Sequence, residues 1–435
     1  MNTIEYFKER FDQLQSANLD SSLGGISQRA FNAFNKMGIP AARHEEWKYT
    51  RINSLFNKEY EFPFNQIVSI SQDDLKAIRL PGHEQANELI FINGVYSSSL
   101  SKIISKNQLI VMSLEDAAKN EYREIVSKHI GHSSNYLKDG INALNTAFVQ
   151  GGVFIYVNEK QIVGHPVYIY HITDARSANT FSQPRSLVYI AEQAQAQLVQ
   201  TFVTIGSSDA FTNEVMEIVV EKDARLEYYK IQNEPISSNS VSTTHIRQVG
   251  KSYTHTVTIS LDGGIVRNNL NMVLDAEYCE SHLYGLYFQQ GHSHIDNHTV
   301  VDNVKPNCFS NQLYKGIMDG SSTGVFNGKI FVQPDAQKTN AYQSNKNILL
   351  SDMASVNTKP QLEILADDVK CSHGCTIGHL DDEGLFYLQS RGITEKNAKS
   401  LLLHAFADDI LEKINLPVIR DYVDKLISHR LEFNV

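Results

Sequence analysis

The chain has 435 residues, 42% hydrophobic and 20% charged, with a formal net charge of −10. That is enough apolar material for a sizeable core, so global disorder is excluded. The negative balance argues against a partner bound by phosphate neutralisation, and no nucleic-acid role is expected.

The chain opens with "MNTIEYFKERFDQLQ", where Ile4, Phe7, Phe11 and Leu14 recur at helical spacing. Glu5, Glu9 and Asp12 interrupt any apolar run, so this is not a secretory leader. No apolar stretch approaches the roughly 20 residues needed to cross a bilayer, and a cytoplasmic protein without membrane contact is expected. Residues 1–150 read as a mixed, largely helical region. "SQRAFNAFNKMGIP" carries a second apolar stripe, Ala30, Phe31, Phe34 and Met37, closed by Gly38 and Pro40. "ANELIFINGVYSSSLS" is strand-like with a turn at Asn93-Gly94. "SLEDAAKNEYREIVSKHIG" predicts one further helix with Ser113 as its N-cap.

From Gly151 the texture changes. "GGVFIYVNEKQIVGHPVYIYHIT", "SLVYIAEQAQAQLVQTFVT" and "NEVMEIVVEKDARLEYYKIQNE" are β-rich runs separated by Asn, Gly, Ser or Asp. No helix is predicted before about Gly392, which leaves roughly 240 residues of successive strands, more than one sandwich holds. A weak repeat, apolar-x-apolar, three or four residues, an alanine and then an apolar strand, recurs at Ala196, Ala224, Ala276 and Ala336. Its offsets are roughly 28, 52 and 60 residues, near one, two and two turns of a stacked coil. The leading fold is a mainly β chain with a parallel β-helix core over 151–393, flanked by N-terminal and C-terminal helical regions. A pair of β-sandwiches is the alternative. Residues 394–435 follow as two amphipathic helices. Thr394 is the first N-cap, with Leu402, Leu403, Phe406, Ile410 and Ile414 as one stripe and Val418, Tyr422, Leu426 and Ile427 as the next. Such a pair either caps a solenoid or offers an apolar face to a partner.

Four cysteines, Cys279, Cys308, Cys371 and Cys375, are too sparse for a disulfide framework and point to a reducing compartment. Three potential metal ligands alternate in "VKCSHGCTIGHL": Cys371, His373 and Cys375. On a strand they share one face, with neighbours roughly 6.6 Å apart and the outer pair roughly 13 Å apart. Two adjacent members reach one metal; three do so only if Gly374 bends the strand. A closed structural zinc site wants four ligands, so an open site completed by another chain competes with a reading as buried thiols and a hydrogen-bonded imidazole. "QGHSHIDNHTVVDN" puts His292, His294, Asp296 and His298 in alternation. A polar ladder on a solvated sheet face is favoured there over a divalent-metal site. "RHEEWKYT" holds the only tryptophan, Trp47, read as a packing residue in preference to an interface anchor. There is no Walker A loop, no dinucleotide fingerprint, no H-E-x-x-H and no G-x-S-x-G, so any ATP would be held by a partner.

"VKCSHGCTIGHLDDEGLFYLQSRGI" and the block before it, "NQLYKGIMDGSSTGVFNGKIFVQPDAQKTNAYQSNKNILLSD", resemble the SufB/SufD family of iron–sulfur cluster assembly scaffolds across Asn311–Ile393. "RHEEWKYT" resembles the N-terminal R-x-E-x-W-K-Y-T of its SufD branch. The resemblance implies a right-handed parallel β-helix and a non-catalytic scaffold that pairs with a SufB-like paralogue. It implies docking of the ATPase SufC on residues 394–433, and sulfur arriving indirectly from a cysteine desulfurase. His373, with Cys371 two residues before it, would serve a nascent iron–sulfur cluster shared with SufB. This chain would bind no nucleotide. Cys375 stands where the family usually has alanine, as a small-residue packing swap or as an added thiolate. Thiolate and imidazole suit iron–sulfur chemistry, and a ligand set divided between two chains suits a site that must release its product. A carbohydrate-active β-helix enzyme and a homomeric scaffold, dimeric in isolation, are the competing readings.

Overall fold

A computed structural model describes residues 3–17, 20–62 and 70–433. Residues 1–2 and 434–435, the extremes of the predicted terminal regions, and residues 18–19 and 63–69 lie outside the described residues. Two long sheets face each other, each built by strands that alternate along the chain, so that every second strand adds to the same sheet. Strands Arg225–Asn233, Tyr253–Asp262, Glu280–Gln289, Phe309–Met318, Asn340–Leu349 and Lys370–Gly378 are consecutive neighbours in one sheet. Their pairings are parallel. The other sheet ends on His294–Asn303, Thr323–Val332 and Ser355–Ile364, also parallel. Among the described residues antiparallel pairing is confined to the N-terminal end, around Asn87–Tyr96 and Leu109–Val157. The molecule is therefore a parallel β-solenoid of about 8 turns, and the sandwich alternative is excluded.

Three of the four repeat alanines mark a corner of this coil, whereas Ala196 lies inside the strand Gln195–Gly206. Ala224, Ala276 and Ala336 each lie between a strand of the second sheet and the next strand of the first. Beside them a residue adopts positive φ in turn after turn: Gln193, Asp223, Tyr278, Asn307 and Lys338, all between 56° and 61°. A left-handed residue reverses the chain sharply, and the small alanine lets the corner close over the core. In the interior, apolar side chains such as Leu226, Leu283, Met272 and Ile330 fill the half nearest this corner. Buried polar groups, among them Gln200, Lys230, Asn268, Tyr287 and Asn345, hydrogen-bond to one another in the other half.

Helices cover both outer faces. In chain order the first six among the described residues are α1 (Thr3–Ala17), α2 (Gly24–Met37), α3 (Gln72–Ile78), α4 (Leu114–Lys119), α5 (Arg123–His129) and α6 (Gly140–Ala147). α1, α2 and α6 pack Phe7, Phe11, Phe31, Phe34 and Leu144 against Phe181, Phe211 and Val241 of the second sheet. Met37, predicted inside, is exposed. The helix expected over residues 113–131 is two, Leu114–Lys119 and Arg123–His129, broken at Asn120. Ser113 is the N-cap of the first, accepting from the Asp116 amide. Asn93 and Gly94 form the predicted turn, both with positive φ.

Three helices follow the last strand: α7 (Asp382–Ser390), α8 (Glu395–Leu411) and α9 (Pro417–Phe433). α7 lies where strand texture was expected to continue. None of its residues is buried, so it has no 3.6-residue apolar period to betray it, and "LFYL" reads as strand. α8 and α9 neither cap the coil nor turn an apolar stripe outward. Leu403, Ala407, Ile410, Ile419, Val423, Ile427 and Leu431 are buried on the solenoid's own flank against Val257, Ile259, Leu286 and Ile317. Val418, predicted inward, is exposed; the α9 stripe runs one residue later, through Ile419 and Val423. Lys315 fixes α8 by donating to the Phe406 carbonyl (2.7 Å) and Asp409 (2.6 Å).

Candidate functional site

The solenoid has an open end. Lys370–Gly378 is the last strand of its sheet and Ser355–Ile364 the last of the other, so each leaves one edge of N–H and C=O groups without a strand partner. Lys370–Gly378 pairs residue for residue with Asn340–Ile348 without a register shift. Gly374 therefore introduces no kink, and the predicted condition for a three-ligand site is not met. Cys371 lies beside Ala341 and packs on the core, which turns the alternating set Cys371, His373, Cys375 and Ile377 to the inner face. With no further coil above them, His373 and Cys375 are exposed at the mouth while Cys371 is half-buried. Burial pushes the Cys371 thiol up, so an incoming cation or metal must help it ionise. Cys375 meets solvent and not a packed interior, so its environment in the isolated chain does not explain it as a packing swap.

Beneath the mouth the inner face is polar. Gln343, one coil below His373, donates through Nε2 to Gln312 Oε1 (3.0 Å), and Gln312 donates to Thr299. This chain of amides fixes Gln343's orientation and leaves its buried Oε1 without a hydrogen-bond donor. A buried acceptor without a partner, one coil below an imidazole, suits a histidine that donates downward and offers its other nitrogen upward. Beside it Asn347 donates to Asn345 (2.7 Å) and Asn345 to Tyr287 (3.0 Å). No motif in the sequence marks the glutamine pair. Its only trace there is a spacing of 31 residues, one coil. Met353 and Leu365, in the turns before and after Ser355–Ile364, and Phe386 and Tyr387 on α7, which follows the last strand, are each more than half exposed. Large apolar side chains gathered round one end mark a surface made to be covered.

The other constellations have structural work. His294, Asp296 and His298 lie under "RHEEWKYT" and not on a solvated face. Asp296 is 1% exposed and accepts from Thr50 and, at 2.8 Å, from Arg267. His298 lies 3.0 Å from Asp296 and 3.6 Å from Glu46. Arg267 stacks 3.9 Å from the Trp47 ring centroid, and Trp47 donates to Asp139 at 3.2 Å. Two motifs about 250 residues apart are thus one buried anchor, and Trp47 is a packing residue. His292 is exposed in a corner apart from them. All four cysteines are free thiols.

Residues 171–406 match the family model described as "SUF system FeS cluster assembly, SufBD core domain", and residues 2–169 match "SufBD protein N-terminal region". This chain belongs to the SufBD family. It is 30% identical over 413 residues to the iron–sulfur cluster assembly protein SufD of Escherichia coli, covering 93% of this chain and 92% of that protein. It is equally 30% identical over 419 residues to an iron–sulfur cluster assembly SufBD family protein of Synechocystis, 94% of this chain and 92% of the relative. SufD of Bacillus subtilis is more distant, 24% identical over 347 residues, 77% of this chain and 76% of the relative. The SufBD core match includes the whole open end, so the Cys/His strand lies within the family's shared domain. Among the described helices none is long and apolar enough to cross a membrane.

Proposed function

We propose that this chain is the SufD-type subunit of an iron–sulfur cluster assembly complex: a non-catalytic scaffold that pairs with a SufB-like paralogue and supplies part of the ligand set for a nascent cluster. The observation that carries this is the open end of the solenoid. It combines two unpaired strand edges, an apolar rim and an incomplete set of soft ligands in one place. A second solenoid end can add strands edge to edge, which satisfies the backbone and brings its own ligands to the mouth. His373 and Cys371 are the ligands assigned to this side, with Cys375 as a further thiol. The cluster is cargo, and a set of no more than two ligands from this chain, completed by the paralogue, lets it leave once the interface opens.

The chain divides its labour accordingly. Residues 1–150 brace the coil, 151–393 form it and carry the mouth, and 394–435 receive the ATPase SufC. Because the apolar stripes of α8 and α9 are already buried on the solenoid, SufC would meet their outer, polar faces. Nucleotide would be held by SufC and not by this chain, and a cysteine desulfurase would act indirectly through the paralogue. The site of action would be the cytoplasm. Two copies of the chain would pair through the same edges when the paralogue is absent.

The test is anaerobic affinity purification of the tagged chain from its host, with mass spectrometry and an absorbance spectrum of the same sample. A SufB-like chain and a SufC-like ATPase in stoichiometric amounts, with visible absorption lost in His373→Ala, is the expected result. A colourless chain recovered alone and monomeric would overturn the pairing and the cluster assignment together.

A further inference from the structure

A second group of metal-capable side chains lies on the terminal helices, outside the Lys370–Gly378 strand that carries the mouth. His404 and Asp408 are one turn apart on the same face of α8, and Asp424 faces them from α9. His404 Nδ1 is 3.3 Å from an Asp408 oxygen and Nε2 is 2.8 Å from an Asp424 oxygen. One ligand atom from each of the three lies within 4.8 Å of the others. All three residues are half-buried, and among the described residues this is the only such cluster of three or more.

The charges around it do not balance. The neighbouring Asp409 is neutralised by Lys315 at 2.6 Å. Asp408 and Asp424, by contrast, have no lysine or arginine within ion-pair distance among the described residues; their one partner is His404. Two carboxylates converge on a single imidazole, which carries at most one positive charge. The two carboxylates face different ring nitrogens, and a divalent cation held by one of those nitrogens and both carboxylates supplies two positive charges and tolerates a neutral imidazole.

We propose that His404, Asp408 and Asp424 bind a divalent first-row cation that clamps α9 to α8. Magnesium and calcium favour all-oxygen shells, whereas one imidazole with two carboxylates suits Fe2+, Zn2+ or Co2+. Ligand atoms about 2.0–2.2 Å from such an ion lie roughly 3–3.5 Å apart, within reach of small side-chain rotations from the observed arrangement. Three protein ligands leave further positions to water, so the ion is exchangeable. The clamp ties together the two helices through which the ATPase is assigned to dock, yet its existence does not depend on that assignment or on the mouth.

The experiment titrates Co2+ anaerobically into metal-free, full-length chain carrying Cys371→Ser, His373→Ala and Cys375→Ser, so that the mouth contributes nothing. One equivalent bound, with a visible d–d band and a raised unfolding temperature, is expected. Asp424→Asn and His404→Gln should each weaken binding about tenfold or more, as loss of one of three ligands requires. Circular dichroism confirms that each variant is folded, and either folded variant suffices. Displacement of Co2+ by Fe2+ or by Zn2+ separates the two sources, and either supports the site. No stoichiometric Co2+ binding would leave only a helix–helix ion pair, and undiminished binding in the folded variants would place the metal elsewhere; both overturn the proposal.

Discussion

Replacing Arg267 by methionine should release the N-terminal region from the solenoid. Arg267 and Asp296 are each 1% exposed, and the guanidinium also donates to the Glu46 carbonyl (2.7 Å) and to Asn269 (3.1 Å). Methionine keeps most of the volume but leaves Asp296 buried with His298 and Thr50 as its remaining polar partners. Breaking one side of a buried ion pair costs about 3–5 kcal/mol. Loss of the guanidinium stacked on Trp47 adds about 1–2 kcal/mol. Trp47 is the only tryptophan and is 1% exposed, so its emission reports this joint directly. In urea, the Trp47 fluorescence transition of Arg267→Met should move to lower denaturant, further than the far-UV transition of the coil. The double variant Arg267→Met/Asp296→Leu should recover about 2 kcal/mol, because no unpaired charge remains. If the single variant shifts the Trp47 transition by less than about 0.5 kcal/mol, the size of an ordinary surface change, the anchor reasoning is wrong.

Acid should destabilise the protein well above the carboxylate range. Burial holds His171 and His245 neutral, lowering each from 6.5 to about 3. Below about pH 6.5 the unfolded chain takes up protons that the folded one refuses, so this stability is present above 6.5 and is lost as pH falls towards 3. Glu46, lowered from 4.5 to about 2 by its hydrogen bond to His298 and then by Lys329, adds a loss of the same sign between 4.5 and 2. The urea midpoint should be lower at pH 5 than at pH 7.5; an equal or higher value contradicts the assignment of buried neutral imidazoles. His373→Ala removes an exposed side chain and should change the unfolding free energy by less than about 0.5 kcal/mol while abolishing the visible absorption of the anaerobic complex. Gln343→Leu should leave that absorption present but altered, with His373 no longer held in one tautomer by selective isotope-labelled NMR; an unchanged tautomer balance refutes the positioning role. Ile410→Ala, at a site with no exposure, should cost about 2–5 kcal/mol and make α8 and α9 the first segments cut in limited proteolysis. Proteolysis starting elsewhere would mean that the helices are not held by this stripe.

The sequence by itself determined the coil, because a solenoid repeats one local problem. Each turn needs an apolar inward alternation, a small residue at the corner and a break, and Ala224, Ala276 and Ala336 record that period although the strands between them share few identities. It also determined the helix caps at Ser113 and Thr394 and the turn at Asn93-Gly94, where the requirement lies within four residues. The alternation Cys371, His373, Cys375 was enough to place three side chains on one face and to show that they cannot all reach one ion in a straight strand. What only the tertiary structure decided is everything that depends on contact between distant segments. "RHEEWKYT" reads as a packing segment with no stated partner and "HIDNH" as a solvated ladder, until Arg267, from a neighbouring strand, joins them in one buried network. The α8 and α9 stripes specify burial but not against what, so a partner and the solenoid's own flank fit them equally well. The openness of the last coil is also invisible in sequence, since a terminal strand carries the same alternation as an internal one. It becomes an edge only because, among the described residues, no further strand follows it in either sheet.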